Sequence, residues 1–236
     1  MGSLFVFYLQ RNGTRAGEDK PSPLRSGRGQ AVAPTKRART SRRPYEVSQP
    51  VEVYMPSKAA FNIRYATLND AGSISSIYQQ STQRGYQDVM AEAAIYSRLL
   101  DRLEPFWTQK LAILPSKEQR LLVAEDEGQV IGFVEVGAAT YPEEVATENT
   151  GELHFLFVAP DCMGRGIGSR LLTRATELLR EDGYSQAILW VFSRNIQARR
   201  FYERHGWSTN GIERPDPALS FLATPPLEVC YTLALR

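Results

Sequence analysis

One segment constrains this chain more than any other: a strand that passes through a glycine-rich turn directly into an amphipathic helix. Glu152–Val158 reads as the strand. Gly166–Arg180 reads as the helix, with Ile167, Leu171, Leu172, Ala175, Leu178 and Leu179 in one continuous apolar stripe. The surrounding sequence keeps alternating. Phe61–Thr67 reads as a strand, followed by Asp70 as a helix N-cap ahead of Ile74 and Ile77. A second helix is predicted from about Asp88 to Leu103, stopped by Pro105. Arg120–Glu125 and Val130–Gly137 read as strands joined by the hairpin turn Asp126-Glu127-Gly128-Gln129. Thr140–Thr150 reads as an acidic loop. Ala187–Phe192 follows as a buried strand, Asn195–Arg204 as a helix and Leu227–Leu235 as the last strand. The order β-α-α-β-β-β-α-β-α-β predicts an α/β fold, a mixed sheet with helices on both faces.

Composition narrows the class. Apolar residues are 42% and charged residues 23% of the 236, which is globular and excludes a collagenous, coiled-coil or wholly disordered chain. No apolar run approaches the ~18 residues of a spanning helix. Two cysteines (Cys162, Cys230) and two histidines (His154, His205) exclude a disulfide scaffold and point to no metal site. Charge is uneven. Residues 1–60 carry 11 Lys and Arg against 4 Asp and Glu, whereas residues 61–236 carry 17 against 22. A basic arm therefore precedes an acidic body, and the body's charge argues against nucleic acid as its partner. Residues 1–57 offer little to bury and are expected to be a disordered basic arm. Residues 58–236 are expected to form the domain. The cluster Lys36-Arg37-Ala38-Arg39 with Arg42-Arg43 fits a solubilising tail, a phosphate-binding patch or a nuclear address. No basic n-region precedes Leu4–Leu9, so secretion is not expected. Cytoplasmic residence is the expectation, with the nucleus open through the arm.

The chemistry concentrates after Val158. Glycines in Met163-Gly164-Arg165-Gly166-Ile167-Gly168 permit positive φ and close approach of a ligand. The first amides of the following helix lack internal partners and sit at its positive end, where an anion such as a pyrophosphate binds. The turn is neither a Walker A loop nor the dinucleotide fingerprint, since Ser169 stands where the latter continues.

Leu156-Phe157-Val158-Ala159-Pro160-Asp161-Cys162-Met163-Gly164-Arg165-Gly166-Ile167-Gly168 resembles the acetyl-CoA-binding motif of the GCN5-related N-acetyltransferases (GNAT). Asn195-Ile196-Gln197-Ala198-Arg199-Arg200-Phe201-Tyr202-Glu203-Arg204-His205-Gly206-Trp207 resembles that family's second element. The resemblance covers roughly residues 61–236. It implies an acyl-CoA N-acyltransferase fold, with a mostly antiparallel, splayed sheet. It also implies an acetyl-CoA-dependent transfer to an amine by direct attack in a ternary complex. Phe157 and Val158 would bond the pantetheine arm through their backbones, and the amides from Gly164 to Ser169 would hold the pyrophosphate. Met163 departs from the family's Arg or Gln and removes one polar contact. Arg165 could add a charge. Asn195 would bond the cofactor arm, and Tyr202, two turns further on the same helix face, would protonate the departing thiolate.

The acceptor amine also needs a base. Glu152 is the leading candidate, placed by period 2 on one strand face with His154 and Leu156, and Glu135 is the second. His154 could relay a proton. His205 is expected to cap a helix C-terminus. Cys162 lies in the cofactor loop without a base motif. The first two helices and the segment Gly211–Pro226 would shape the acceptor site, with Tyr78, Arg84, Tyr86, Asp88, Tyr96, Glu213, Arg214 and Asp216 as candidates. Small amines, peptides and protein lysines all remain open as acceptors, as does a homodimer. An acyl-CoA-binding regulatory module without turnover, using the basic arm, is the alternative from another class.

Overall fold

The computed structural model describes residues 61–85, 103–114, 119–140, 149–220 and 223–235. The basic arm, most of the helix expected over 88–103 and most of the acidic loop lie outside the described residues. The described strands are β1 (Asn62–Tyr65), β2 (Gln119–Asp126), β3 (Gln129–Ala138), β4 (Thr150–Val158), β5 (Gln186–Phe192), β6 (Ser208–Pro215) and β7 (Leu227–Ala234). The helices are α1 (Ala71–Gly85), α2 (Leu103–Ala112), α3 (Ile167–Glu181) and α4 (Ile196–Arg204).

The strands form one sheet in the order β1-β2-β3-β4-β5-β7-β6. Neighbours are antiparallel except β4 and β5, which run parallel because α3 carries the chain back between them. That parallel pairing is brief: Thr150↔Gln186, Gly151↔Ala187 and Glu152↔Ile188. Beyond Glu152 the two strands part, while β4 stays paired to β3 and β5 to β7 along its whole length. The sheet is mixed, mostly antiparallel and splayed, as the resemblance implied.

Two apolar layers cover the sheet. The stripe of α3 packs Ile167, Leu171, Leu172, Leu178 and Leu179 with Val134, Val136, Leu189 and the α4 residue Tyr202. On the opposite face α1 and α2 pack Ile74, Ile77, Phe106 and Trp107 on Phe133, Phe155 and Phe157. Trp107 is fully buried and meets Phe133 and Phe155 edge-on at 5.3 and 5.2 Å between ring centroids.

Several elements differ from expectation. Pro105 does not stop a helix; it sits in the first turn of α2, where its missing N–H has no intrahelical acceptor to lose. Asp70 ends a short helical turn before α1 instead of capping it. Its carboxylate accepts from the Thr67 amide at 2.7 Å and pairs with Arg64, which holds it below its ordinary pKa despite burial. The sequence predicts no strand at β6, part of which falls in the segment Gly211–Pro226. β6 is an exposed edge strand, interrupted by a bulge, in the polar sequence Ser-Thr-Asn-Gly-Ile-Glu-Arg-Pro, so it carries no alternation to detect.

The β2–β3 turn is as expected: Glu127 and Gly128 both have positive φ, which two-residue hairpins favour. Gly132 on β3 has a different reason to be glycine. A Cβ there would lie 2.9 Å from the Phe157 carbonyl and 3.2–3.3 Å from Leu171 and Ile167. Gly132→Ala should therefore destabilise by about 1–3 kcal/mol. At roughly 2–4 °C per kcal/mol for a chain of this size, a thermal melt resolves the loss.

Candidate active site

The open edge of β4 is set by the phase of its ladder with β3. The Ala159 amide donates to the Ile131 carbonyl at 2.9 Å, and two residues earlier Phe133 faces Phe157. Alternation then commits the peptide groups of Phe157 to β3 and turns those of Leu156 and Val158 toward the splay. The Ser81 hydroxyl of α1 donates to the Val158 carbonyl at 3.2 Å, in keeping with that phase. The backbone available along this edge is thus that of Leu156 and Val158, not Phe157. The Phe157 side chain packs against Tyr78, centroids 5.1 Å apart.

The chain then makes a helical turn at Pro160–Cys162, passes the exposed Met163, and enters α3 through two glycines with φ of 79°. A Cβ on Gly164 or Gly166 would meet none of the described residues within 4 Å. Backbone conformation alone demands glycine here, and among the described residues nothing fills the space beside the turn. The first internal bond of α3 runs from the Arg170 amide to the Gly166 carbonyl at 3.1 Å. The amides of Ile167, Gly168 and Ser169 precede it, and among the described residues no side chain caps them. They form an anion cradle at the positive end of a 15-residue helix.

Neighbouring side chains are more committed. The Arg165 guanidinium donates to Asp126 at 2.5 Å, reaching the β2–β3 hairpin, and lies 3.8 Å from the Cys162 Sγ. His205 ends α4, as expected, and joins it to α3. Its Nδ1 is 2.8 Å from the Phe201 carbonyl and its Nε2 2.9 Å from the Ser169 Oγ. A carbonyl only accepts, so Nδ1 carries the hydrogen and Nε2 faces the hydroxyl. Ser169 therefore offers the cradle its amide, its hydroxyl being engaged. Asn195 is the N-cap of α4: its Oδ1 accepts from the Ala198 amide at 3.0 Å, leaving Nδ2 to donate elsewhere.

Tyr202 lies two turns along α4, buried against Phe201, Trp207 and Tyr231. Among the described residues no hydrogen bond engages its hydroxyl. Burial pushes that hydroxyl above its ordinary pKa, so it holds its proton throughout the neutral range.

Glu152 and His154 lie where β4 leaves β5. β4 has a bulge here: Glu135 opposes Phe155 and the next residue, Val136, opposes Leu153, so His154 is the extra residue. The bulge reverses the alternation. Leu153 and Leu156 both belong to the α3 layer, whereas Phe155 and Phe157 belong to the α1–α2 layer. Glu152, next to Leu153, therefore does not share a face with Leu156. Its carboxylate is buried; Oε2 accepts from the Thr140 amide at 2.7 Å and Oε1 lies 3.6 Å from the His154 Nδ1. Burial alone would raise its pKa, but His154 and the amide outweigh that and hold it well below the ordinary carboxylate range. Glu135 is fully buried and its Oε1 lies 2.6 Å from the Lys110 Nζ.

A family model of the acetyltransferase (GNAT) family matches residues 81–207, more than half of the chain. The chain belongs to the GNAT acetyltransferase family. An uncharacterized N-acetyltransferase of Archaeoglobus fulgidus is 32% identical over 155 residues, 65% of this chain and 94% of its own length. An uncharacterized N-acetyltransferase of Bacillus subtilis is 30% identical over 148 residues, covering 62% and 89%. The crystal structure of the PaiA N-acetyltransferase from Thermoplasma acidophilum, in complex with coenzyme A, superposes with a TM-score of 0.60. It is 19% identical and spans 74% of this chain and 99% of that one. Membership makes this GNAT protein an acyltransferase.

Only part of the acceptor set is described. Tyr86, Asp88 and Tyr96 lie outside the described residues, as does the side chain of Arg84. Tyr78 is held in the aromatic layer against Trp107 and Phe155. Arg214 stacks on Trp190 at 3.7 Å and bonds the fully buried Glu228 at 3.4 Å. Thr140, Ser81 and Lys110 escaped the sequence reading. Each acts by reaching across the fold, through an amide, a hydroxyl or a buried ammonium, and none stands in a motif.

Proposed function

We propose that this GNAT protein transfers the acetyl group of acetyl-CoA to a primary amine by direct attack in a ternary complex. The observation that carries the reading is the conjunction of an open β4 edge with an uncapped, glycine-flanked α3 N-terminus. One offers peptide groups to an extended amide-bearing arm, the other offers amides to a pyrophosphate. The coenzyme A complex of the PaiA neighbour supports the same ligand class. Leu156 and Val158 would bond the arm through their backbones and the amides from Gly164 to Ser169 would hold the diphosphate. Asn195 would donate through Nδ2, with Met163 flanking the turn. Hydrogen bonding from Ser81 to the Val158 carbonyl would have to yield or share.

Acetyl-CoA supplies a thioester whose carbonyl carbon accepts the amine nitrogen. A C–N bond forms and the C–S bond breaks. Starting from the ammonium, the nitrogen gives up two protons, one before attack and one as the amide forms. Tyr202, protonated at neutral pH, delivers a proton to the departing sulfur and is restored by the second nitrogen proton. The first must leave the ammonium for a base. An alkylamine of pKa ~10.4 stands about 3.4 units above pH 7, which costs roughly 4.6 kcal/mol at 1.36 per unit. The buried Glu152–His154 pair on β4 meets that demand.

The test is thermal stability with acetyl-CoA. A ligand at 100 times its Kd adds about 2.7 kcal/mol, a rise of several degrees in Tm. No rise up to millimolar acetyl-CoA would overturn the reading. A rise justifies a screen of primary amines by thiol release.

A further inference from the structure

We propose that Tyr231 of β7 is a positioning residue, whose hydroxyl fixes α4 so that the Tyr202 hydroxyl stands where the departing sulfur forms. This rests on the acetyltransfer reading above and assigns a role within it. α4 is nine residues long, and a helix that short is not held by its own hydrogen bonds in water. Its ties to the rest of the fold therefore decide where its side chains stand. Tyr202 itself is held by ring contacts to Phe201, Trp207 and Tyr231. Such contacts tolerate small shifts that hydrogen-bond geometry does not. The place of the Tyr202 hydroxyl is thus inherited from the α4 backbone, and what pins that backbone matters to the chemistry.

Tyr231 is fully buried, and its Oη serves two residues of α4 at once. It donates to the Glu203 Oε1 at 2.7 Å and accepts from the Arg199 Nε at 3.0 Å. Arg199 and Glu203 stand about one turn apart, with Tyr202 between them in sequence. Two bonds spaced in this way resist both sliding of the helix along its axis and rotation about it. Arg199 also donates from Nη1 to the Ser193 carbonyl at 3.0 Å, which ties the same side chain to the backbone just past β5. β7 is a firm base for this grip, because it pairs with β5 on one side and β6 on the other. Tyr231 is the register partner of Leu189, the residue that follows the last β4–β5 pair. The grip therefore stands where the sheet opens, with its ring centroid 6.5 Å from that of Tyr202. Misplacing a reacting group by 1 Å costs on the order of 10²-fold in rate.

Tyr231→Phe removes the oxygen and keeps the ring. Arg199 and Glu203, four apart on one helix face, can then pair with each other, so no charge is stranded and the variant should fold. One test needs no acceptor. Carbon-13 NMR of the tyrosine rings in the full chain reports Tyr202, assigned with Tyr202→Phe. Because the ring at 231 remains, a shift of the Tyr202 signals in Tyr231→Phe reports movement of Tyr202. Unchanged signals overturn the proposal. Kinetics with primary amines, read by thiol release, give a second measure. Tyr231→Phe should lower kcat about 10- to 100-fold with the acetyl-CoA KM kept. In Tyr202→Phe the group to be positioned is gone, so adding Tyr231→Phe should cost nothing further; losses that multiply overturn the proposal. Glu203→Gln keeps an acceptor for the Tyr231 hydroxyl and should retain most of the rate, whereas Glu203→Leu should follow Tyr231→Phe. Equal rates in the two Glu203 variants would count against the grip, and because Glu203 is exposed they decide the matter even if Tyr231→Phe does not fold. A slow Tyr202→Phe beside a full-rate Tyr231→Phe sinks this proposal alone; a full-rate Tyr202→Phe takes down the acid role as well. If no primary amine is acetylated, the amine reading fails, and the NMR result still decides whether Tyr231 holds Tyr202 in place.

Discussion

Tyr202→Phe is expected to lower the rate of acetyl transfer by about 10²- to 10⁴-fold while leaving the acetyl-CoA-induced rise in Tm unchanged. The substitution removes one oxygen from a buried ring that packs on Phe201, Trp207 and Tyr231. No described partner is orphaned, so the fold should barely register it. The rate should, because a thiolate leaving without a proton donor has to be expelled as the anion. Burial raises the Tyr202 pKa, so the hydroxyl stays protonated over any assay near neutrality, and the acid limb of the profile belongs to another group. A thiol-release assay beside a thermal melt reads both effects. Equal turnover in the variant would show that another group, or water, protonates the sulfur. Ligand binding without turnover in either protein would favour the regulatory-module reading over the enzyme.

Lys110→Met is expected to cost about 3–5 kcal/mol, a drop on the order of 10 °C in Tm. Lys110 and Glu135 are 5% and 0% exposed, and their charged atoms lie 2.6 Å apart. The ammonium also lies 5.5–5.9 Å from the rings of Phe106, Trp107 and Phe155. Removing it strands a carboxylate between α2 and the sheet. Replacing both partners, as Lys110→Met with Glu135→Met, should recover most of the loss, because two apolar side chains need no counter-ion there. A thermal melt of the three proteins checks it. Failure of the double variant to recover would mean that the pair does more than neutralise itself. The same geometry explains why Glu135, second in line as a base from sequence, is a poor one: its charge already has a partner.

Much of the site was legible because motifs are local. The glycines of the β4–α3 turn, the α3 stripe and the spacing of Asn195 to Tyr202 all act within a few residues of chain. Short-range geometry follows from residue type there: Gly164 and Gly166 take φ of 79°, and Asn195 caps the helix it begins. The edge strand β6 was illegible for a physical reason. A strand paired on one side and wet on both faces needs no apolar alternation.

By itself the sequence determined the strand–turn–helix unit, the α3 face to be buried, the α/β class and the family resemblance, since periodicity, glycine and capping act between near neighbours. Only the tertiary structure decided which backbone groups face the splay, because ladder phase depends on a second strand. It also decided that a bulge at His154 turns Glu152 away from the face of Leu156, and that Glu135 answers to Lys110 on a distant helix. Period 2 holds only while every residue of a strand has one partner. Partnership across 25 or more residues is fixed by packing, which a sequence read along its length does not display.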